Sequence, residues 1–427
     1  MDGSHQLALV LAGLFSFIQR MGRPHVRSAT FLSIKKNFQS VLPAMLILFF
    51  VGMLIAAWAS AGVLSTLIFL GMKLTSKEFF LPAITIVSGM AAIVSGSSWT
   101  TAGTIGVALM GVGQVFGFPL EVSAGAIVSG CYFGDKLSPL SDTTNLASSL
   151  AGVGLFVHIK HMMRTTIPSF LVCLFLYYIW NVYTLPGLTE PKFGSLSILQ
   201  SNQLVYDLWN LLPVALVFGA SMFGLHPLIS LGLGIVSASI LTYIRLPFVL
   251  VILQNLIFGF ISDTGNKNLD VFLSGGGVSA IISTEALILS AVWFGGILEG
   301  MGYLQEILQK FKKWILVKSD VLLATMGSSF LLNLTTADQY LSLVIPARAF
   351  KHLATEYELD AKEVSRSLED SGTISSPLVP WNSCGAFMAT SLGVSTLSYL
   401  PYVWFNLIHI LFAIFLVVIK RKKEISK

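Results

Sequence analysis

The sequence predicts an all-α polytopic membrane protein, and three observations carry that prediction. The 427 residues are 54% hydrophobic and 11% charged, with a mean hydropathy of +0.79; a soluble domain carries about 25% charged residues. The apolar stretches are long and continuous, as spanning helices require, not short and alternating as in a membrane β-barrel. Thirty-seven glycines and thirty phenylalanines suit closely packed helices and lipid-facing surface. Membrane lipid is therefore an expected partner. The formal charge of +5 falls in short loops and at the tail, the pattern that orients membrane helices, and gives no reason to expect nucleic acid. Cys131, Cys173 and Cys384 lie in apolar or motif segments and read as small apolar residues, not as disulfides or metal ligands.

Taken in order, Leu7 to Ile18 is too short to span comfortably and follows no basic residue, so no cleavable signal stands out. It reads as the end of a helix that begins upstream or as a short packed helix. Val41 to Ser60 is a spanning candidate, and Val63 to Leu74 a shorter apolar run. Phe79 to Val94 leads into a polar cluster, Gly96-Ser97-Ser98-Trp99-Thr100-Thr101, which splits it from Ile105 to Phe118. Ala124 to Phe133 runs into a second polar window, Gly130 to Asn145, and Leu146 to Val157 leaves it. The loop His158 to Arg164 is basic, and Ile167 to Tyr183 crosses again. Leu185 to Asp207, with Pro186 and Pro191, reads as an external loop. Leu208 to Gly224, Pro227 to Ile244 and Phe248 to Ile261 follow, then a Gly-rich loop from Asp263 to Gly277 with Lys267 and Asp270. Val278 to Leu298 begins a second set. The loop Glu306 to Lys318 is basic; Val321 to Leu334 and Leu341 to Phe350 are apolar. Lys351 to Arg366 is charged but balanced, hence solvated surface. Ser367 to Cys384 is a Pro-broken window, Ala386 to Leu397 and Tyr402 to Ile419 close the chain, and Lys420-Arg421-Lys422-Lys423 forms a tail predicted to be cytoplasmic. At roughly 20 residues per span this gives about eleven to thirteen helical segments.

The sequence also contains an internal repeat. Gly96-Ser97-Ser98 faces Gly327-Ser328-Ser329, and Gly134 to Asn145 faces Gly372 to Asn382 with a shared Ser-Pro-Leu. On that register Pro380 stands opposite Asp142. The chain then divides into a short N-terminal segment (1–39), a first repeat (40–183), connecting loops and helices (184–277), a second repeat (278–419) and the basic tail (420–427). Equivalent loops differ in charge in opposite senses. His158 to Arg164 is basic where Val394 to Pro401 has no charge; Lys73 to Glu78 is weakly charged where the loop before the second Gly-Ser-Ser carries four lysines. The positive-inside rule sets the halves in opposite orientations. That is the inverted repeat of a secondary transporter, with broken or re-entrant helices meeting at a midplane site.

Asp135 and Asp142 carry the sharpest chemical expectation. A buried carboxylate costs several kcal/mol unless paired or coordinated. Gly134 and Pro139 interrupt the helix around them, and Thr143, Thr144 and Asn145 supply the neutral oxygens that suit a hard cation. The expected role is a cation site whose carboxylate also takes a proton, with Asp142 slightly favoured. The plainer reading is a structural pair with Lys136, or a helix cap. Ser97, Ser98, Thr100 and Thr101 line the same cavity or simply bond to helix carbonyls. In the second half Ser328, Ser329, Asn333, Asp370, Ser375, Ser376 and Asn382 are the matching candidates. Glu369 and Asp370 adjoin the charged segment, where solvation or capping fits as well. Asp338 is expected near an interface, as are His158, His161 and His409; Glu285 and Glu299 lie in an apolar helix and are candidates for a proton path. There is no Walker A loop, and no His-x-x-x-His or Cys-x-x-Cys pattern, so no ATP, cofactor or enzymatic activity is expected.

With Gly-Ser-Ser-Trp-Thr-Thr-Ala-Gly-Thr-Ile-Gly (96–106), Tyr-Phe-Gly-Asp-Lys-Leu-Ser-Pro-Leu-Ser-Asp-Thr-Thr-Asn-Leu-Ala (132–147), His-Ile-Lys-His-Met (158–162) and Pro-Leu-Val-Pro-Trp-Asn-Ser-Cys-Gly-Ala-Phe (377–387), the sequence resembles the NhaC family of sodium/proton antiporters over residues 40–419. The resemblance implies sodium-for-proton exchange by alternating access in a bacterial inner membrane, with sodium bound at Asp142 or Asp135. Sodium ions and protons would be the cargo, and a homodimer is compatible with it. The family includes members that exchange malate for lactate with sodium and protons, which is the alternative. Members usually carry additional helices at the N-terminus, where residues 1–39 are short.

Overall fold

The computed structural model describes residues 4–20, 24–187, 207–263 and 274–426. The predicted loops over 188–206 and 264–273, the latter with Lys267 and Asp270, lie outside the described residues. Among those residues the chain is helical, and its β pairing is one antiparallel bridge between Phe260 and Gly275.

The helices are α1 (Ser4–Arg20), α2 (Pro24–Ser60), α3 (Val63–Leu74), α4 (Phe80–Ser95), α5 (Ser98–Thr101), α6 (Val107–Phe116), α7 (Leu120–Leu137), α8 (Asp142–Ala151), α9 (Leu155–Thr184) and α10 (Leu212–Met222). There follow α11 (Pro227–Arg245), α12 (Val249–Phe258), α13 (Ile282–Gly300), α14 (Tyr303–Lys313), α15 (Lys318–Thr335), α16 (Gln339–Glu356), α17 (Ala361–Leu368), α18 (Ser383–Leu392), α19 (Thr396–Tyr399) and α20 (Trp404–Ile425). Short π-helical turns at Ala102–Gly106 and Glu369–Thr373 join α5 to α6 and extend α17. Six helices among the described residues are long and apolar enough to cross a membrane. Large apolar side chains such as Phe175, Leu250 and Leu411 stay exposed, as lipid contact requires. The protein is an all-α, multi-pass membrane protein.

Two predicted boundaries fall inside helices. The limit at 39/40 falls inside α2, which starts at Pro24 because no glycine, and no proline before Pro43, interrupts the polar stretch ahead of the apolar run. The tail at 420–425 is likewise the last turns of α20. Hydropathy marks where a helix enters lipid, not where it begins.

Breaks shape the interior. α4 ends at Gly96, whose φ of 66° is left-handed and where a Cβ would lie 2.5 Å from Leu140 Cβ. The corresponding break in the second half follows α15, at Ala337 with φ 58°. Gly327-Ser328-Ser329 sits within the unbroken α15 and so marks no break, unlike Gly96-Ser97-Ser98. Backbone geometry gives a tighter register. Gly96 precedes the α8 cap Ser141 by 45 residues, and Ala337 precedes the α18 cap Asn382 by 45. Each cap is followed after 11 residues by a left-handed C-cap glycine, Gly152 and Gly393. On these spacings Asp142 stands at the position of Ser383.

Helix directions are fixed at both ends of the molecule. α9 and α20 pack antiparallel: the Tyr177 hydroxyl donates to the Tyr402 carbonyl at 2.5 Å, and the Trp180 and Trp404 rings meet at 5.8 Å. At the opposite ends, His161 meets Arg366 at 3.2 Å and Lys420 donates to Glu363 at 2.6 Å, both on α17. Asn181 near the end of α9 caps the start of α4, accepting from Leu81 N–H at 2.9 Å. The start of α15 is instead tied to the end of α20 by Arg421 and Asp320. α4 and α15 thus enter from opposite sides.

Candidate ion-binding site

A cavity of about 330 Å³ lies where the four breaks meet. Its polar wall comes from Ser97, Ser98 and Thr100 after the first break, Asp135 and Asp142–Thr143 around the second, Asp338–Gln339–Tyr340 after the third, and Ser383–Cys384 after the fourth. Ser40, Pro43 and Ala44 of α2 close one side. Three carboxylates face this space, and among the described residues no lysine, arginine or histidine lines it.

Local structure explains how the acids tolerate the site. The breaks leave helix N-termini turned toward the cavity, where free N–H groups and the helix dipole favour negative charge. Asp135 is 4% exposed; its Oδ2 accepts from Ser98 Oγ at 2.7 Å and from Ser98 N–H at 3.2 Å. Its Oδ1 is buried with no hydrogen-bond partner among the described residues. Asp142 opens α8; its Oδ1 accepts from its neighbour Thr143 N–H at 2.9 Å and its Oδ2 from the Tyr340 hydroxyl. Asp338 caps α16 by accepting from Leu341 N–H at 2.9 Å. The acids ring the cavity without converging: among the described residues no three His, Cys, Asp or Glu side chains are close enough to share one ion. A cation here would take a carboxylate together with neutral oxygens such as those of Ser98, Thr100 and Thr143.

Several predicted residues sit elsewhere. Thr101 bonds Ser95 at 3.0 Å, Thr144 donates to the Lys136 carbonyl at 3.3 Å, and the exposed Asn145 donates to the Pro139 and Ser141 carbonyls. In the second half Asn333 donates to Gly372 O at 2.6 Å and Ser375 Oγ at 2.9 Å, and Asn382 donates to Asn333 Oδ1 at 3.1 Å. That bracket fixes the fourth break but does not line the cavity, nor does Ser376, which donates to Thr373 O at 2.7 Å. Ser328 and Ser329 are buried along α15. Asp142, expected to be buried, is exposed to the cavity.

The predicted partner of Lys136 changes as well. Lys136 is fully buried and donates to Asp370 Oδ1 at 2.7 Å, with His409 Nε2 on the same oxygen at 2.9 Å and Arg366 Nε 3.5 Å from Oδ2. Asp370 and Glu369 are therefore interior groups, not solvated or capping ones, and Arg366 is inside instead of on the surface. His158, His161 and His409 are buried too, because α9, α17 and α20 close over them. Among residues missed as site members, Asp338 carried a usable signal: an Asp just before a helical run is an N-cap. Gln339, Tyr340, Ser383 and Cys384 carried none.

The match to known proteins falls on this region. The model of the Na+/H+ antiporter family matches residues 130–421, more than half of the chain. The chain belongs to the Na+/H+ antiporter family. It is 34% identical to the Na(+)/H(+) antiporter NhaC of Alkalihalophilus pseudofirmus over 403 residues, 93% of this chain and 86% of that protein. It is 37% identical to the arginine/ornithine antiporter ArcD of Halobacterium salinarum over 397 residues, 90% and 80% respectively. It is 35% identical to a malate-2H(+)/Na(+)-lactate antiporter of Bacillus subtilis over 378 residues, 87% and 80%. For this antiporter family member, the matched stretch takes in Asp135, Asp142, Asp338 and the Lys136–Asp370 pair. It leaves Gly96 to Thr101 outside.

Proposed function

We propose that this protein is a secondary antiporter that exchanges sodium for protons by alternating access, with the cavity as its ion site. The observation that carries the reading is a cavity walled by three carboxylates and, among the described residues, by no basic side chain. Such a site attracts a cation and repels a dicarboxylate, because its N-termini already serve acids of the protein itself. Malate or lactate exchange is disfavoured on that ground. A second reading, exchange of cationic amino acids, draws support from the cavity's volume, which exceeds a single ion's needs, and from the first turn of α18, which has no acid.

The repeat belongs to the same proposal. Equal spacings between breaks and caps, and the opposed directions of α4 and α15, support two inverted halves spanning about 40–183 and 278–419. Lys160 to Arg164, Lys310 to Lys318 and Lys420 to Lys423 gather at one end, which supports a cytoplasmic C-terminus in a bacterial inner membrane. Sodium and protons are its cargo, and the scheme requires no cofactor.

Proteoliposomes test the reading. Sodium is applied and the internal pH followed with no organic solute, then with malate, lactate, arginine or ornithine. Sodium-driven proton movement without solute supports sodium/proton exchange. A strict need for arginine or ornithine transfers the assignment to the second reading, and a strict need for malate or lactate rejects both.

A further inference from the structure

A cluster of ionisable side chains lies buried beside the cavity. Asp135 and Lys136 come from α7, His158 and His161 from α9, Arg366 from the end of α17, Glu369 and Asp370 from the π-helical turn after it, and His409 from α20. Asp370 is fully engaged by Lys136, His409 and Arg366. Glu369 is not. It has no solvent exposure, and neither of its carboxylate oxygens has a hydrogen-bond partner among the described residues. Lys136, Asp135 and Asp370 are the charged side chains that act on it, and the hydroxyl of Thr373 stands beside it.

Charge counting gives this arrangement a meaning. With the three imidazoles neutral, and with Asp142, which also acts on Asp135, left to the open cavity where it is exposed, Asp135, Glu369 and Asp370 set three negative charges against the two of Lys136 and Arg366. The cluster is short of one positive charge, and an uncompensated buried charge in a membrane costs several kcal/mol. A proton on Glu369 supplies it. So does a sodium ion on the open Oδ1 of Asp135. Both together overshoot.

Building on the sodium/proton reading, we infer that Glu369 is the proton site of exchange and Asp135 the sodium site, two carboxylates coupled through the buried cluster. Sodium entering from the cavity to Asp135 drives the proton off the Glu369 carboxyl, and the carboxylate left behind faces Lys136. When sodium leaves, Glu369 takes a proton back. One proton is exchanged for one sodium, and no other bond forms or breaks. The π-helical turn fits the role, since such turns recur at functional sites.

Calorimetry of sodium binding to the purified full-length protein tests this, run across pH in two buffers of different ionisation enthalpy. The wild type is expected to release about one proton per sodium, and its sodium affinity to rise about tenfold per pH unit on the acid side. Glu369→Gln mimics the protonated carboxyl in size and charge. Its sodium affinity is expected to stay, at every pH, at the low value the wild type shows in acid, with no proton released. Wild-type proton release and pH dependence in Glu369→Gln would overturn the inference. If Glu369→Gln cannot be obtained folded, Glu369→Asp is measured instead: a displaced pH midpoint is expected, and an unchanged one overturns it. A wild type that binds sodium with no proton release would instead count against the exchange reading itself.

Discussion

At the scale of single residues, the two aspartates of the second window divide their labour. Both oxygens of Asp142 are engaged, by Thr143 N–H and by the Tyr340 hydroxyl, while Asp135 keeps Oδ1 open. Asp135→Asn preserves the volume and the bonds from Ser98 but removes the charge. Sodium-driven proton movement in proteoliposomes should fall at least about a hundredfold, the effect of losing roughly 3 kcal/mol of ion attraction. Near-normal exchange would make Asp135 structural. Asp142→Asn should fall by only about tenfold, because its remaining partners hold the side chain in place. Asp370 is tested by stability instead. Asp370→Asn leaves Lys136 buried without its counter-charge, at a cost of about 3–5 kcal/mol. The melting temperature in detergent should drop, and the double change Lys136→Met with Asp370→Leu should recover most of it. A single variant that melts with the wild type would mean that Lys136 has another counter-ion.

Elements meet through their glycines. Gly130 and Gly134, four apart on α7, press directly on the backbone of α4; a Cβ would come within 2.2 Å of Thr85 O and 2.0 Å of Gly89 O. Small residues at this spacing let membrane helices approach closely. That contact brings the Asp135 turn against the first break, where Ser98 can reach it. Gly134→Ala must therefore push the two helices apart, and should sharply reduce both folded yield on size-exclusion chromatography and exchange. Gly152→Ala is the control. Unlike Gly134 it has a positive φ, 72°, but no neighbouring atom lies within 4 Å, so the expected cost is about 1–2 kcal/mol of backbone strain. Equal behaviour of the two variants would show that close packing at Gly134 is unimportant.

For the whole molecule, direction is the testable property. The end of α20 and the starts of α15 and α17 share one side, and the start of α4 lies with the end of α9 on the other. In a cysteine-free background, Lys422→Cys should react with a membrane-impermeant maleimide only in inside-out vesicles, and Glu78→Cys only in right-side-out ones. Labelling of both from one side would refute the opposed halves.

What the sequence determined by itself is the membrane class, the helices and the places where they fail. Partition into lipid and backbone preference act on neighbouring residues, so apolar runs and the windows at 96–101 and around Pro139 marked real breaks; Gly134, expected to interrupt the helix, instead lies within α7, whose last turn carries Asp135 to the edge of the second break. Tertiary structure decided everything that joins distant residues. Lys136 and Asp370 are 234 positions apart, so no local pattern links them. Asp338 reads as an ordinary cap until four helix ends are brought around one cavity. The letters Gly-Ser-Ser recur at 327–329 within an unbroken helix, because a break is a dihedral angle and it is Ala337 that adopts the left-handed one.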